Sequence, residues 1–218
     1  VYEYLKLRGK SIESEGKILI DKPSNLHENS DSFLISSDQT NKKGDNEILA
    51  YSLPGDLYPN NWSSFVKASV DLDKVKALAK EKGCTLTMYI AALYLYSLYI
   101  SEPDARGSKK PFILSIPVNL RKYFNSNTLR NFSLFIKVIL PLKGKTWDLD
   151  SIIEEIKPQF SEQLNKEFLQ RRINYYVAFE KNFAIRMLPL FIKNLAFKLI
   201  YFLQSNRITT TYISNLGS

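Results

Sequence analysis

The chain has 218 residues, 44% of them apolar, and a formal net charge of +8. That length admits one large domain or two small ones with a sizeable core. Its single cysteine, Cys84, excludes an internal disulfide framework and points to a reducing, cytoplasmic compartment. With one histidine, His27, there is no Cys/His cluster, and no metal site is expected. The dinucleotide fingerprint, the Walker A loop and the Gly-x-Ser-x-Gly elbow do not occur. The charge is uneven. Residues 1–60 hold 7 Lys/Arg against 10 Asp/Glu, and the remainder holds 23 against 12. A basic lobe attracts anions of several kinds, but its Lys and Arg are scattered without a nucleic-acid motif, so no nucleic acid is expected.

In chain order, residues 1–9 read as the tail of a helix stopped by Gly9. Residues 10–61 are rich in Ser, Asn and Asp and lack periodicity. They read as a polar crossing loop, partly disordered, with apolar patches at Ile18 to Ile20 and Phe33 to Ile35 suited to docking on a surface. From Trp62 the pattern is ordered. "SSFVKASVDL" alternates like a strand, and Asp71 caps a helix ended by Gly83. Thr85 or Thr87 opens "TLTMYIAALYLYSLYI", a helix apolar all round and hence expected to be buried.

"PFILSIPVNL" (111–120) reads as a central strand with Pro117 at its end or on a bulge. "NFSLFIKVILPL" (131–142) reads as a second strand. A long helical stretch follows, capped by Asp148 or Asp150 and kinked at Pro158. "FAIRMLPLFIKNLAFKLIYFLQ" is a second helical run broken at Pro189, and "RITTTYISNLG" closes the chain as a strand. The order β-α-α-β-β-α-α-β predicts a layered α/β domain with a largely buried sheet.

Three stretches put small polar residues at the ends of buried strands. These are "SIPVNLRKYF" with Asn119 and Arg121, "LRNFSLF" with Asn131 and Ser133, and "YISNLG" with Ser214, Asn215 and Gly217. Turn formers are common where strands meet loops. In open α/β sheets, however, ligands also gather off strand ends.

In order and spacing, "GCTLTMYIAALYLYSL", "IPVNLR", "LRNFSLFIKVILP", "LPLFIKNLAFKLIY" and "TYISNLG" resemble the second lobe of the HxxxD acyltransferases, in the branch of the alcohol O-acetyltransferases. That family includes condensation domains and chloramphenicol acetyltransferase. The resemblance covers residues 62–218 and implies the second α/β lobe of a chloramphenicol-acetyltransferase-like two-lobed fold, a mixed sheet covered by helices, with a tunnel between the lobes. It also implies a His-His-x-x-x-Asp-Gly motif, which this sequence does not contain. The chain is therefore expected to be a piece that begins after the general-base histidine, upstream of Val1, and ends before the family's last strands.

The resemblance assigns Asn131, Ser133, Ser214, Asn215 and Gly217 to the tunnel wall. It gives Asn119 and Arg121 a structural or acyl-donor contact. It implies no tightly bound cofactor, with acyl-CoA or a carrier-protein thioester as co-substrate and an alcohol or amine as acceptor. The missing first lobe is the expected intramolecular partner.

Two other readings stay open. One is a catalytically inactive relative serving as a binding or scaffold module. The other is a peripheral membrane-associated lobe, with Arg186, Lys193 and Lys198 toward anionic lipid. The run that carries those cations is read first as a core helix of the lobe, leaving membrane association weak. A lobe without its partner exposes apolar surface, so self-association is also expected.

Overall fold

Two continuous apolar runs build the centre of the molecule. In a computed structural model that describes residues 8–9, 27–38, 40, 43–55, 64–204 and 208–214, they form β1 (Phe112–Asn119) and β2 (Ser133–Leu140). The two pair antiparallel from Phe112↔Leu140 to Asn119↔Ser133. A short β3 (Thr211–Tyr212) pairs parallel to β1 at Leu114 and Ser115. β1 is therefore central in a mixed three-stranded sheet, β2-β1-β3.

Pro117 lies inside β1, opposite Phe135. The carbonyls of Pro111, Ile113 and Ser115 accept from Tyr51, Thr210 and Ile213, so the odd positions turn their backbone toward the β3 side. At Pro117 β3 has already ended, and the missing N–H is not needed.

The even positions of both strands face the main core. Phe112, Leu114 and Ile116 lie beside Ile136, Val138 and Leu140, all nearly fully buried. Two helices cover them, α3 (Leu86–Ser101) and α4 (Leu149–Gln163). α3 follows α2 (Leu72–Glu81), whose N-cap is Asp71. Thr85 caps α3 by accepting from Met88 N. Burial on α3 is one-sided: Tyr89, Ala91, Ala92, Leu95 and Tyr99 are inside, whereas Ile90, Leu93 and Ile100 are exposed. The expectation of a helix buried all round is corrected accordingly, because the sheet covers one face only.

Asp148 caps α4 in a reciprocal box with Ser151. The backbone N–H of Ser151, and then its hydroxyl, hold the Asp148 carboxyl below the usual carboxylate range. A depressed acid stabilises the fold above its unfolded value, near pH 4, and that share is lost as pH falls through the folded value. Asp148→Asn keeps a capping oxygen without the titration. Denaturation midpoints should then fall less steeply for this variant than for the parent below about pH 4. Parallel curves would remove the assignment.

α4 continues through Pro158 to Gln163, so the break falls at Leu164 and not at the proline. Only one intrahelical bond is forfeited at a proline. Asn165 then caps α5 (Lys166–Lys181). After it come α6 (Phe183–Met187) and α7 (Leu190–Gln204).

"SSFVKASVDL" is not a strand. Residues 64–70 lie outside any sheet, with Phe65, Val66 and Val70 exposed. Alternation makes a strand only where another strand supplies the hydrogen bonds. The closing strand is likewise shorter than its β-branched run, covering only Thr211 and Tyr212. The helix read at the chain's start and the patch at Ile18 to Ile20 lie outside the described residues.

A second, smaller core lies beyond the end of β1. Leu120, Phe124, Phe132 and Leu134 meet Leu169, Ile173 and Val177 of α5. Phe33, from the short α1 (Ser32–Ser36), closes it edge-on against Phe132, with ring centroids 5.0 Å apart. Described residues of the polar segment are thus fastened to the lobe. Thr128 Oγ1 donates to Ser30 O at 2.8 Å, Gln170 Nε2 to Ser36 O at 2.7 Å, and Tyr51 N to Pro111 O at 2.8 Å. The nearly fully buried Asn174 donates to Asp38 Oδ1 at 2.7 Å and accepts from Ser37 Oγ at 3.1 Å.

Candidate functional site

The topology gathers the three polar strand ends. β1 runs toward Asn119, β2 starts antiparallel beside it at Ser133, and β3 runs parallel to β1 toward Ser214. Asn119, Asn131, Ser133 and Ser214 therefore share one end of the sheet. Asn215 and Gly217 lie outside the described residues.

Each of these side chains has a definite local setting. Asn119 Oδ1 accepts from Arg121 N at 3.0 Å and caps a single 3₁₀ turn, Leu120–Lys122. Arg121 makes no ion pair among the described residues. Its guanidinium donates to Thr128 O at 2.7 Å and Arg130 O at 2.6 Å, closing the loop that leads from β1 to β2. Ser133 Oγ donates to Asn131 Oδ1 at 2.7 Å. A hydroxyl has one proton, so Ser133 as it stands offers lone pairs to a ligand. The amide nitrogen of exposed Asn131 donates to no described residue, which leaves it the available donor of the pair.

Beside Ser133 a cavity of about 320 Å³ opens between β2, α1 and α5. Phe33, Leu134, Phe135 and Val177 give it apolar walls, with Tyr176 alongside and the carboxylates of Asp31 and Glu180 also lining it. Asp31 is engaged as the N-cap of α1, accepting from Phe33 N at 3.0 Å and Leu34 N at 3.2 Å. Phe135 projects on the face opposite the main core, and its ring meets that of Tyr212 edge-on at 5.9 Å. A larger hollow of about 700 Å³ at the start of α5 is lined by Asp38, Thr40, Asn165 and Asn174. Asp38, Thr40 and Asn174 are hydrogen-bonded to one another there, and Lys166, Glu167 and Arg171 also line it.

Phe135 and Tyr176 are not among the residues singled out in the sequence, and Phe33 is read there only as part of an apolar patch suited to docking on a surface. The available signal was in "SLFIKVIL", where Phe135 and Lys137 alternate with the core positions Leu134, Ile136 and Val138. A phenylalanine on the non-core face of a strand marks either a second packing surface or a binding wall.

β2 is an edge strand, and its edge is sealed by side chains. Gln159 Oε1 accepts from Ile139 N and its Nε2 donates to Ile139 O, both at 2.8 Å. Gln163 does the same for Lys137, at 2.8 and 2.6 Å. Arg172 donates to Phe135 O. Four helical residues advance about 6 Å and two strand residues about 6.8 Å, so residues four apart on α4 meet alternate positions of β2.

In α/β folds ligands gather off strand ends and in apolar clefts with a few polar groups, which makes this end of the sheet the candidate site. The sequence profile of the alcohol acetyltransferase family matches residues 25–173, and the chain belongs to that family, an acyltransferase family. The match includes the polar segment from residue 25 and runs into α5. No curated protein sequence matches the chain.

Proposed function

We propose that this chain forms the acceptor-side wall of an acyl-transfer site. An acetyl-like group passes there from the thioester of coenzyme A, or of a carrier arm, to an alcohol or amine. The convergence of Asn119, Asn131, Ser133 and Ser214 at one sheet end, beside the cavity walled by Phe33 and Phe135, carries this reading.

The acceptor's apolar body would lie against Phe33, Leu134 and Phe135, with its hydroxyl or amine directed to the polar rim. A general base removes that proton as the acceptor attacks the thioester carbonyl. The resemblance gives that role to a histidine of a His-His-x-x-x-Asp-Gly motif, which residues 1–218 do not contain. Negative charge develops on the carbonyl oxygen and needs a positioned donor. The Asn131 amide is the candidate, and Ser133 orients it through Oδ1. When the intermediate collapses, the C–S bond breaks and the thiol leaves with the proton that the base took from the acceptor.

The test is release of free coenzyme A from acetyl-CoA by the full-length protein, with a series of alcohols and amines. Phe135→Ala should raise the acceptor KM about tenfold with a smaller change in kcat. Asn131→Ala should lower kcat by about 10²-fold. No turnover with any acceptor would overturn the reading and favour the inactive binding module.

A further inference from the structure

A cavity of about 480 Å³ opens where α5, α6 and α7 meet the short α1. Small-molecule sites span about 300–1,000 Å³. Lys181, Arg186 and Lys193 line this one, against a single acid, Glu180. Lys193 Nζ donates to Arg186 O at 3.2 Å, which holds its ammonium between α6 and α7 with two N–H groups to spare. The Lys181 ammonium and the Arg186 guanidinium make no hydrogen bond or ion pair among the described residues, and Glu180 pairs with none of the three.

The expectation that the α7 run is a core helix is corrected here, since Phe191 is 72% and Leu195 70% exposed. No single described helix is long and apolar enough to cross a membrane. The cavity suits a particular anion. Its surplus of two positive charges matches phosphate, which carries about −1.5 to −2 as a monoester at neutral pH, better than a lone carboxylate. Half-exposed Phe179 and Phe197 add aromatic surface on which a planar base can stack. Phosphates joined to a planar base are a nucleotide. The cavity also adjoins the candidate acceptor site. Glu180 lines both, and the neighbours Phe33 and Leu34 of α1 line one each.

We propose that this cavity seats the nucleotide end of the acyl donor, so that the donor is free coenzyme A and not a carrier arm. The inference rests on the acyl-transfer reading above and decides between the two donors it names. Lys181, Arg186 and Lys193 hold the phosphates, Arg186 through the paired N–H groups of its planar fork. The adenine lies against Phe179 and Phe197. Glu180, shared by the two cavities, repels phosphate from the acceptor side. A carrier arm brings one phosphate and no base, and would leave the aromatic wall and most of the positive charge unmet.

The experiment is calorimetric titration of the full-length protein with three ligands: coenzyme A, phosphopantetheine, which keeps one phosphate and no base, and pantetheine, which has neither. Coenzyme A should bind at least about tenfold tighter than phosphopantetheine. Lys181→Gln with Arg186→Gln should weaken coenzyme A at least about tenfold and leave pantetheine unchanged. Neither side chain holds a described partner, so the fold does not depend on them, and circular dichroism checks this. Phe197→Ala should weaken coenzyme A about fivefold or more without changing phosphopantetheine. Equal affinity for coenzyme A and phosphopantetheine would overturn the proposal, as would no binding of coenzyme A or unchanged binding by the double variant. Titration needs no turnover, so the two readings fail separately. Acyl transfer from pantetheine thioesters without a preference for coenzyme A keeps the transfer and removes the nucleotide site. The expected binding without turnover on any acceptor keeps the nucleotide site and removes the transfer.

Discussion

Replacing Gln159 and Gln163 together by leucine is expected to lower stability by about 4 kcal/mol and to make the protein self-associate through β2. Each glutamine makes two hydrogen bonds to one residue of the strand edge. Each bond contributes about 1 kcal/mol net, and leucine restores none of them while still covering the edge with apolar atoms. The four released backbone groups then form a template for another strand. Urea denaturation of the full-length protein reads the first effect. Light scattering at rising concentration reads the second. Each single variant should cost about half as much, with coupling between them because both hold one short strand. An unchanged denaturation midpoint would mean that these amide pairs contribute nothing. A lower midpoint without concentration-dependent association would mean that the edge has another cover.

The consequence reaches the site. The sealed edge begins one residue pair from Ser133 and includes Phe135, whose carbonyl is held by Arg172. An edge that frays moves the Phe135 ring and the Ser133–Asn131 pair together. Weaker acceptor binding is therefore expected alongside the loss of stability.

The parts of the fold legible in the sequence were those decided by local rules. β1 and β2 are continuous apolar runs, and such runs become strands covered on at least one face. Asp71, Thr85 and Asp148 sit where capping chemistry puts them, and their side chains accept from the expected N–H groups. The parts that misled depended on a partner. Phe65, Val66 and Val70 carry a strand pattern, but among the described residues nothing pairs with them. The α7 run is apolar enough for a core, but burial is a property of neighbours as well as composition. In the site, the polar strand ends were readable because turn chemistry is local. The meeting of Phe33, read only as a docking patch, with Tyr176 was not, because about 140 residues of chain separate these two walls of one cavity. The docking of Phe33 was readable from its apolar patch, but the polar anchors of that segment were hidden, since each looks like an ordinary solvated side chain until the fold supplies its mate.

Asp45 is the anchor whose loss should be felt most. It lies between two consecutive arginines, accepting from Arg171 Nη2 at 2.7 Å and pairing with Arg172 Nε at 3.1 Å. Arg172 is the critical partner, since its side chain is only 9% exposed. Removing one member of a buried pair costs about 3–5 kcal/mol, because the other charge is left in a poor solvent. Here Asp45 is itself 32% exposed, and Arg172 retains Phe135 O and, at 3.2 Å, Tyr176 Oη. Screening reduces the figure, and Asp45→Ala is expected to cost about 2–3 kcal/mol. The adjoining backbone should loosen first. Gly44 packs against the Tyr175 ring so closely that a Cβ there would stand 2.8 Å from it. Hydrogen exchange should therefore rise over residues 43–47 before it rises in β1. Adding Arg172→Met removes the stranded charge, so the double variant should be less destabilised than the sum of the singles by about 1–2 kcal/mol. Strict additivity would show that the two side chains do not act as a pair. Unchanged exchange at 43–47 in Asp45→Ala would show that the segment is held by something other than this carboxylate. Where the pairing holds, Tyr176 and the Phe135 carbonyl both shift when Arg172 loses its counter-charge. The acceptor KM should then rise in Asp45→Ala, although Asp45 does not line the cavity.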